Sequence, residues 1–256
     1  VTHRPDVVLS QSERLRVRPW RADAAVAQIS PPPGRAPSHD ALAACLEDLA
    51  RRGYHAAITS ALTATESFPF ADAGFRPFQH LILLRRSLTP ASPPAEARAQ
   101  PTPPERGPTE ARSPVHLRRA RRRDAGATLA LDRRAFDEFW HLDSLGLIEA
   151  RTATTSSRWR VAVLGTTIVG YAVTGRTGSV AYLQRLAVDP DVQGRGVGAA
   201  LVTDAVAWAG RHHCDHLLVN TQHDNATALA LYGRLGFSRL PDGLTVWHLA
   251  LEGPNE

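Results

Sequence analysis

Apolar and polar positions alternate along this chain in two well-patterned stretches, separated by one that has no pattern at all. In the longer, C-terminal stretch, Leu201, Ala205, Trp208 and Ala209 recur at helical spacing, and so do Ala228, Leu231, Tyr232 and Leu235, with Gly236 suited to end the second helix. Ala125 to Trp140 also reads as helical, with Leu129, Leu131, Ala135, Phe136 and Phe139 apolar, and a short helix follows around Leu142 to Ala150. Strands are predicted over Val115 to Arg119, Trp159 to Leu164, Ile168 to Thr174, Val180 to Val188, His216 to Thr221 and Leu244 to Leu251. Turn signals at Gly165-Thr166-Thr167 and Arg176-Thr177-Gly178 leave little chain between the middle strands, which implies an antiparallel meander. The order of elements is α+β with a central mixed sheet flanked by helices.

The patternless stretch runs from Thr89 to Pro114 and holds eight prolines among Ala, Glu, Arg and Thr. With almost no large apolar residue it cannot bury enough surface to fold, so it reads as a semi-extended linker. The chain therefore divides into residues 1–88, a linker over 89–114, and a domain over 115–256. The N-terminal part retains a helix from Asp40 to Arg52, a strand from His55 to Ser60 and a last strand from Arg76 to Leu84.

Composition narrows the picture. An apolar share of 43% in 256 residues is ample for packed cores. No run approaches the roughly 18 apolar residues of a spanning helix, and the first residues lead into no signal-peptide core, so a cytoplasmic protein with no membrane partner is expected. Cys45 and Cys214 lie one in each half, which fits small core residues rather than a disulfide framework. The net charge of +5 rests on arginine, lysine being absent, and Arg118, Arg119, Arg121, Arg122 and Arg123 cluster densely. No aromatic residue is interleaved there, so a solvated strand end, or a surface attracting acidic partners, is preferred to a nucleic-acid face. His212, His213, Cys214, Asp215 and His216 crowd one helix end with no second cluster to complete a coordination shell, so no metal site is expected.

The segment richest in chemistry is Leu186-Ala187-Val188-Asp189-Pro190-Asp191-Val192-Gln193-Gly194-Arg195-Gly196-Val197-Gly198, a strand entering a glycine-rich turn that opens a long helix. Glycines let backbone approach a ligand closely, and the free amides of a helix start, with about half a positive charge of macrodipole, suit a pyrophosphate. The glycines could also serve the turn alone. The pattern is neither the Walker nor the Rossmann one.

Here the sequence resembles the GNAT acetyltransferase superfamily, whose Gln/Arg-x-x-Gly-x-Gly/Ala signature is matched by Gln193 to Gly198. The stretch Asn225-Ala226-Thr227-Ala228-Leu229-Ala230-Leu231-Tyr232-Gly233-Arg234-Leu235-Gly236-Phe237 is similar to that superfamily's second signature, and the whole is closest in style to the ribosomal-protein alanine N-acetyltransferases. The resemblance implies acetyl-CoA as co-substrate, with its pantetheine arm along Leu186, Ala187 and Val188 and its pyrophosphate on Gln193, Gly194, Arg195, Gly196, Val197, Gly198 and Ala199. A backbone amide near Leu186 would polarise the thioester carbonyl. Asn225 would contact the cofactor and Tyr232 would protonate the departing thiolate. Both also have purely structural readings, Asn225 as a helix N-cap and Tyr232 as a core tyrosine.

The resemblance breaks off where a base is expected. The alanine N-acetyltransferases carry a glutamate five residues before the conserved asparagine, and that position is Asn220; many other members place a carboxylate on the strand where this chain has Gln184. Asp137, Glu138 and His141 are substitutes from the acceptor side, or ordinary helix-surface residues.

The N-terminal half resembles a worn copy of the same domain. Leu15 to Ala24 is similar to Leu117 to Ala125, and Phe70-Ala71-Asp72-Ala73-Gly74-Phe75 to Tyr232-Gly233-Arg234-Leu235-Gly236-Phe237. Between the matched aspartate and the central helix the C-terminal copy has 74 positions, Asp124 to Gly198, and the N-terminal copy 15, Asp23 to Ser38. The lost length corresponds to the meander and glycine turn, and Phe70 lacks the tyrosine hydroxyl. A smaller, degenerate GNAT-like domain with a structural or acceptor-shaping role is expected, packed against the C-terminal one. Two functions follow: an N-acetyltransferase acting on a small-molecule or peptide amine by direct attack in a ternary complex, or a non-catalytic acetyl-CoA-binding protein. The missing carboxylates favour the second and Tyr232 the first. The oligomeric state is not legible.

Overall fold

A computed structural model describes residues 7–9, 14–20, 23–32, 34–88 and 115–251. The linker expected over residues 89–114 lies outside the described residues. In the N-terminal part the elements are β1 (Val7–Leu9), β2 (Arg14–Pro19), β3 (Val26–Ser30), α1 (His39–Arg51), β4 (Ala56–Thr59), α2 (Ala64–Asp72) and β5 (Arg76–Ser87). The C-terminal part follows with β6 (His116–Arg119), α3 (Ala125–Ala135), α4 (Ser144–Thr152), β7 (Ser156–Leu164), β8 (Thr167–Thr177), β9 (Val180–Val188), α5 (Val197–Arg211), β10 (His216–Gln222), α6 (Ala226–Arg234), β11 (Ser238–Arg239) and β12 (Leu244–Ala250). Among the described residues no helix is long and apolar enough to cross a membrane.

The chain forms two compact units. Of the described residues, the first takes those up to Leu84, Asn220–Ala230 and those from Arg239 on, and the second those between Arg85 and Val219 and Leu231–Ser238, so β5, β10, α6 and β11 are each divided between them.

In the first unit, β1, β2 and β3 run antiparallel in succession, β3 pairs in parallel with β4, and β12 lies antiparallel between β4 and β5. The parallel β3–β4 pair needs a crossover, and α1 supplies it, with Ser38 accepting from the Ala41 amide at 3.3 Å as its N-cap. Leu15, Val17, Ile29, Leu42, Leu49, Phe70 and Phe75 form a fully buried core, against which Trp247 and Leu249 of β12 pack. This placement corrects one expectation: the last strand, read as part of the C-terminal domain, lies in the first unit's sheet and adds partly buried side chains to its core. The unexpected α2 begins with a capping box between Thr63 and Glu66 and accommodates Pro69 in its interior.

In the second unit, β6, β7, β8 and β9 form an antiparallel meander and β10 joins β9 in parallel through α5. One face of the sheet holds Trp159, Val161, Val163, Tyr171, Val173 and Ala187 against Leu129 and Leu131 of α3 and Leu147 of α4. The other face receives α5, whose Val197 and Leu201 come so close to Gly170 that a Cβ there would stand 3.0 and 3.1 Å from their side chains. The single helix expected from Ala125 to Trp140 ends at Ala135: Phe136 is extended, and a separate 3-10 turn covers Glu138–Trp140. The break frees the chain to turn back toward β9.

Candidate functional site

Gln193 to Gly198 and Tyr232 lie in the second unit, where β9 enters the glycine turn, whereas Asn225 to Ala230 fall in the first. The pairing of β9 with β10 covers only Val180 to Tyr182 against His216 to Leu218. On its other edge β9 stays paired with β8 as far as Val188, past an irregularity that leaves Gln184 without an opposite residue. From Leu183 to Val188, therefore, one edge of β9 faces no strand among the described residues, which leaves main-chain groups such as those of Leu186 able to pair with an extended ligand. The first unit contrasts sharply. There β3 pairs with β4 from Val26↔Ala56 to Ile29↔Thr59, and the Ser60 amide closes the end by donating to the Ile29 carbonyl at 3.0 Å. Among the described residues β3 leaves no equivalent edge open.

Beyond β9, the Asp189 amide donates to the Val169 carbonyl, and the Asp189 carboxylate accepts from the Asp191 amide at 3.1 Å, starting a turn over Pro190–Val192. The Gln193 side chain donates back to the Val188 carbonyl at 3.4 Å. Gly194 and Gly196 have φ of 74° and 82°, a left-handed conformation that strains any residue with a Cβ, and nothing lies within 4 Å of where those Cβ atoms would be. Gly196 is the N-cap of α5 and offers no side-chain cap, and the helix has no acidic residue in its first turn. The amides of Val197, Gly198 and Ala199 thus have no acceptor within the helix, and the macrodipole reinforces them. Gly198 is held tightly, for a Cβ there would stand 3.2 Å from Leu231 of α6 and 3.6 Å from Val188. Arg134 donates to Asp189 at 2.9 Å and to Asp191 at 2.7 Å, compensating two carboxylates beside the turn.

Tyr232 is buried, and its hydroxyl makes no hydrogen bond among the described residues. Burial pushes its pKa well above the usual phenol value. Phe237 packs on the Tyr232 ring at 5.5 Å and donates its amide to the Tyr232 carbonyl, after Gly236 with φ of 78°. Phe70, Gly74 and Phe75 repeat this closure in the first unit, with rings 5.3 Å apart, φ of 88° at the glycine and the Phe75 amide on the Phe70 carbonyl. The two helix ends share this local geometry. Asn225 accepts from the Ala228 amide at 3.0 Å and caps α6.

At the positions where a base was sought, Asn220 is exposed, and the Gln184 side-chain oxygen is buried without a hydrogen-bond partner among the described residues. Asp137 and Glu138 are exposed, and His141 is engaged with the Phe136 carbonyl at 2.8 Å. Of the arginine cluster, Arg118 pairs with the buried Asp124 at 2.7 and 2.9 Å, which holds that carboxyl down to about 2. Arg119, Arg121, Arg122 and Arg123 are exposed. Among the described residues no group of three or more His, Cys, Asp or Glu could hold a metal ion.

Sequence reasoning missed one cluster beside β9. Asp132 of α3 is 0% exposed and accepts from the Tyr171 hydroxyl, from Arg185 Nε and Nη2 at 2.8 Å each, and from the Leu142 amide at 2.7 Å. A lone arginine within the apolar run of β9 was the available signal, since a buried charge needs a partner.

Residues 126–237 match the Acetyltransferase (GNAT) family. The N-alpha-acetyltransferase RimI of Mycobacterium tuberculosis is 42% identical over 80 residues, covering 30% of this chain and 49% of that protein. A mycothiol acetyltransferase of Thermobispora bispora is 29% identical over 129 residues, covering 46% and 44%. The chain thus spans less than half the length of these curated relatives. Among solved structures, a tandem GNAT protein from the clavulanic acid biosynthesis pathway superposes over 98% of this chain and 83% of its own with a TM-score of 0.62 at 16% identity, which is a likeness of fold. A GCN5-related N-acetyltransferase from Sphaerobacter thermophilus does so over 96% and 79% with a TM-score of 0.56, also at 16% identity.

Proposed function

Since residues 126–237 form a GNAT acetyltransferase domain, we propose that the second unit binds acetyl-CoA and transfers its acetyl group directly to a primary amine. The observation that carries this reading is the open edge of β9, which leads through the glycine turn to the uncapped start of α5. An extended pantetheine arm pairs with Leu186, Ala187 and Val188, and the pyrophosphate rests on the amides from Gly194 to Ala199. Gln193 holds the turn, and the exposed Arg195 adds positive charge. Asn225 acts as the cap of α6 and thereby sets the helix that carries Tyr232.

The thioester carbonyl lies at the Leu186 amide, which donates to its oxygen as the amine nitrogen attacks the carbonyl carbon and negative charge develops. Collapse of that adduct breaks the C–S bond, and the sulfur leaves as a thiolate. A phenol with a raised pKa stays protonated throughout the working pH range, so Tyr232 stabilises the thiolate mainly through a donated hydrogen bond. The amine proton passes to water, because Asn220 and Gln184 cannot take it.

That last step selects the acceptor. At pH 7 a lysine side chain of pKa about 10.4 is neutral to roughly 0.04%, and an α-amine of pKa about 8 to roughly 10%. A site without an evident base favours the second, a peptide N-terminus or an amino group on a small metabolite. Labelled acetyl-CoA offered with peptides that differ in a free or blocked N-terminus and in the presence of lysine tests this. Faster labelling of free N-termini is expected. Faster labelling of lysine at pH 7 would point to an unrecognised base such as Glu138, and binding without transfer to any amine would favour the non-catalytic alternative.

A further inference from the structure

The cluster around Asp132 lies on the face of β9 opposite α5. Arg185 is next along the strand from Leu186, and its guanidinium is held on three sides. It forms a two-point ion pair with Asp132, it donates from Nη2 to the Trp140 carbonyl at 2.7 Å, and it lies 3.5 Å from the centroid of the Phe136 ring. Asp132 also receives the Leu142 amide. Both ends and the middle of segment 136–142 are thereby fastened to one side chain of β9 and its partner. The segment has little regular structure of its own, only the 3-10 turn Glu138–Trp140, so these bonds decide where it lies.

Its position matters because α5 and the glycine turn close the opposite face of β9. Residues 136–142 lie on the other face, beside Arg185, and there Phe139 and Trp140 present rings packed edge to face at 4.9 Å. We propose that Arg185 is a positioning residue for the acceptor: through Asp132 and the Trp140 carbonyl it fixes the segment that borders the attacking amine. This rests on the acetyltransferase reading above. A guanidinium suits the task because its planar fork serves the carboxylate with two donors and still reaches a carbonyl, which a lysine ammonium cannot do in the same geometry.

The test uses the full chain with Arg185→Met, Arg185→Lys and the milder Tyr171→Phe, which removes one donor to Asp132. Hydrogen exchange at the Leu142 amide reads the fastening, calorimetry with coenzyme A reads the cofactor site, and steady-state kinetics with the acceptor preferred by the wild type read positioning. Loss of a charged hydrogen bond corresponds to about a tenfold to hundredfold change. Arg185→Met is therefore expected to speed Leu142 exchange and raise the acceptor KM by at least about tenfold, with coenzyme A affinity within about twofold. Arg185→Lys should recover part of both, and Tyr171→Phe should show smaller shifts in the same direction. Faster Leu142 exchange with an unchanged acceptor KM in all variants would overturn the proposal, as would unchanged exchange. If Arg185→Met does not fold, Arg185→Lys and Tyr171→Phe decide. Failure of the wild-type protein to acetylate any amine, with Leu142 still protected, would overturn the acetyltransferase reading and leave the fastening as a structural feature only.

Discussion

Gly196 separates what the backbone requires from what the ligand requires. Its φ of 82° disfavours any side chain, yet no atom lies within 4 Å of a Cβ at that point. Gly196→Asn and Gly196→Asp should therefore fold with a similar penalty of roughly 1 kcal/mol, since both residues visit the left-handed region more readily than others. They differ by one negative charge at the mouth of α5. If the pyrophosphate sits there, each of two phosphate charges at about 5 Å, in an effective dielectric of about 60, opposes the aspartate by about 1 kcal/mol. The sum of about 2 kcal/mol makes acetyl-CoA bind roughly thirtyfold more weakly to the aspartate variant than to the asparagine variant. Calorimetry at low and high salt is the assay, and the gap should narrow as salt screens the charges. Acetyl-pantetheine, which lacks the pyrophosphate, should show almost no gap. Equal acetyl-CoA affinities for two folded variants would refute the placement of the pyrophosphate on this turn.

Other outcomes follow from the same geometry. Tyr232→Phe removes a hydroxyl and little volume, so cofactor affinity should hold while the rate of transfer falls by about tenfold or more under conditions where chemistry limits; an unchanged rate would reduce Tyr232 to a core residue. Asp124 has its folded pKa lowered to about 2 by Arg118, against an ordinary value near 4 in the unfolded chain, so the pair adds stability above about pH 4 and loses it as pH falls toward 2. In urea unfolding, Arg118→Gln should destabilise the protein at pH 7, and the difference from wild type should shrink as pH falls below about 4. A difference that persists at low pH would show that Arg118 acts through packing instead.

Much of this was legible because the relevant signals are local. The strand Val180–Val188 matches its predicted bounds, and α5 begins within the glycine run that marked it, since strand and helix periodicity meet there at a turn only glycine accepts. What escaped was non-local. Leu244–Ala250 has the alternation of a strand, but nothing in its own residues says that its partners are β4 and β5. Asp132, Tyr171 and Arg185 are spread over three elements, 39 and 53 residues apart, with no spacing rule to join them. α2 was missed although Thr63 and Glu66 stand at capping-box spacing, because Pro69 and the lack of a clear apolar stripe hid the helix. That β3 has no open edge among the described residues depends on its pairing with β4 from Val26 to Ile29, which only the assembled sheet displays.

The central claim, that acetyl-CoA is held by the second unit on β9 and the start of α5, is tested most directly by hydrogen exchange on the full chain with and without acetyl-CoA. Saturating acetyl-CoA should slow exchange at the amides of Leu186 and Val188, which point to the open edge of β9, and at those of Val197 to Ala199, and leave Val26 to Ser30 and Leu42 to Cys45 of the first unit unchanged. Protection confined to those first-unit segments, or none at Leu186 to Ala199 at saturating cofactor, would contradict the account.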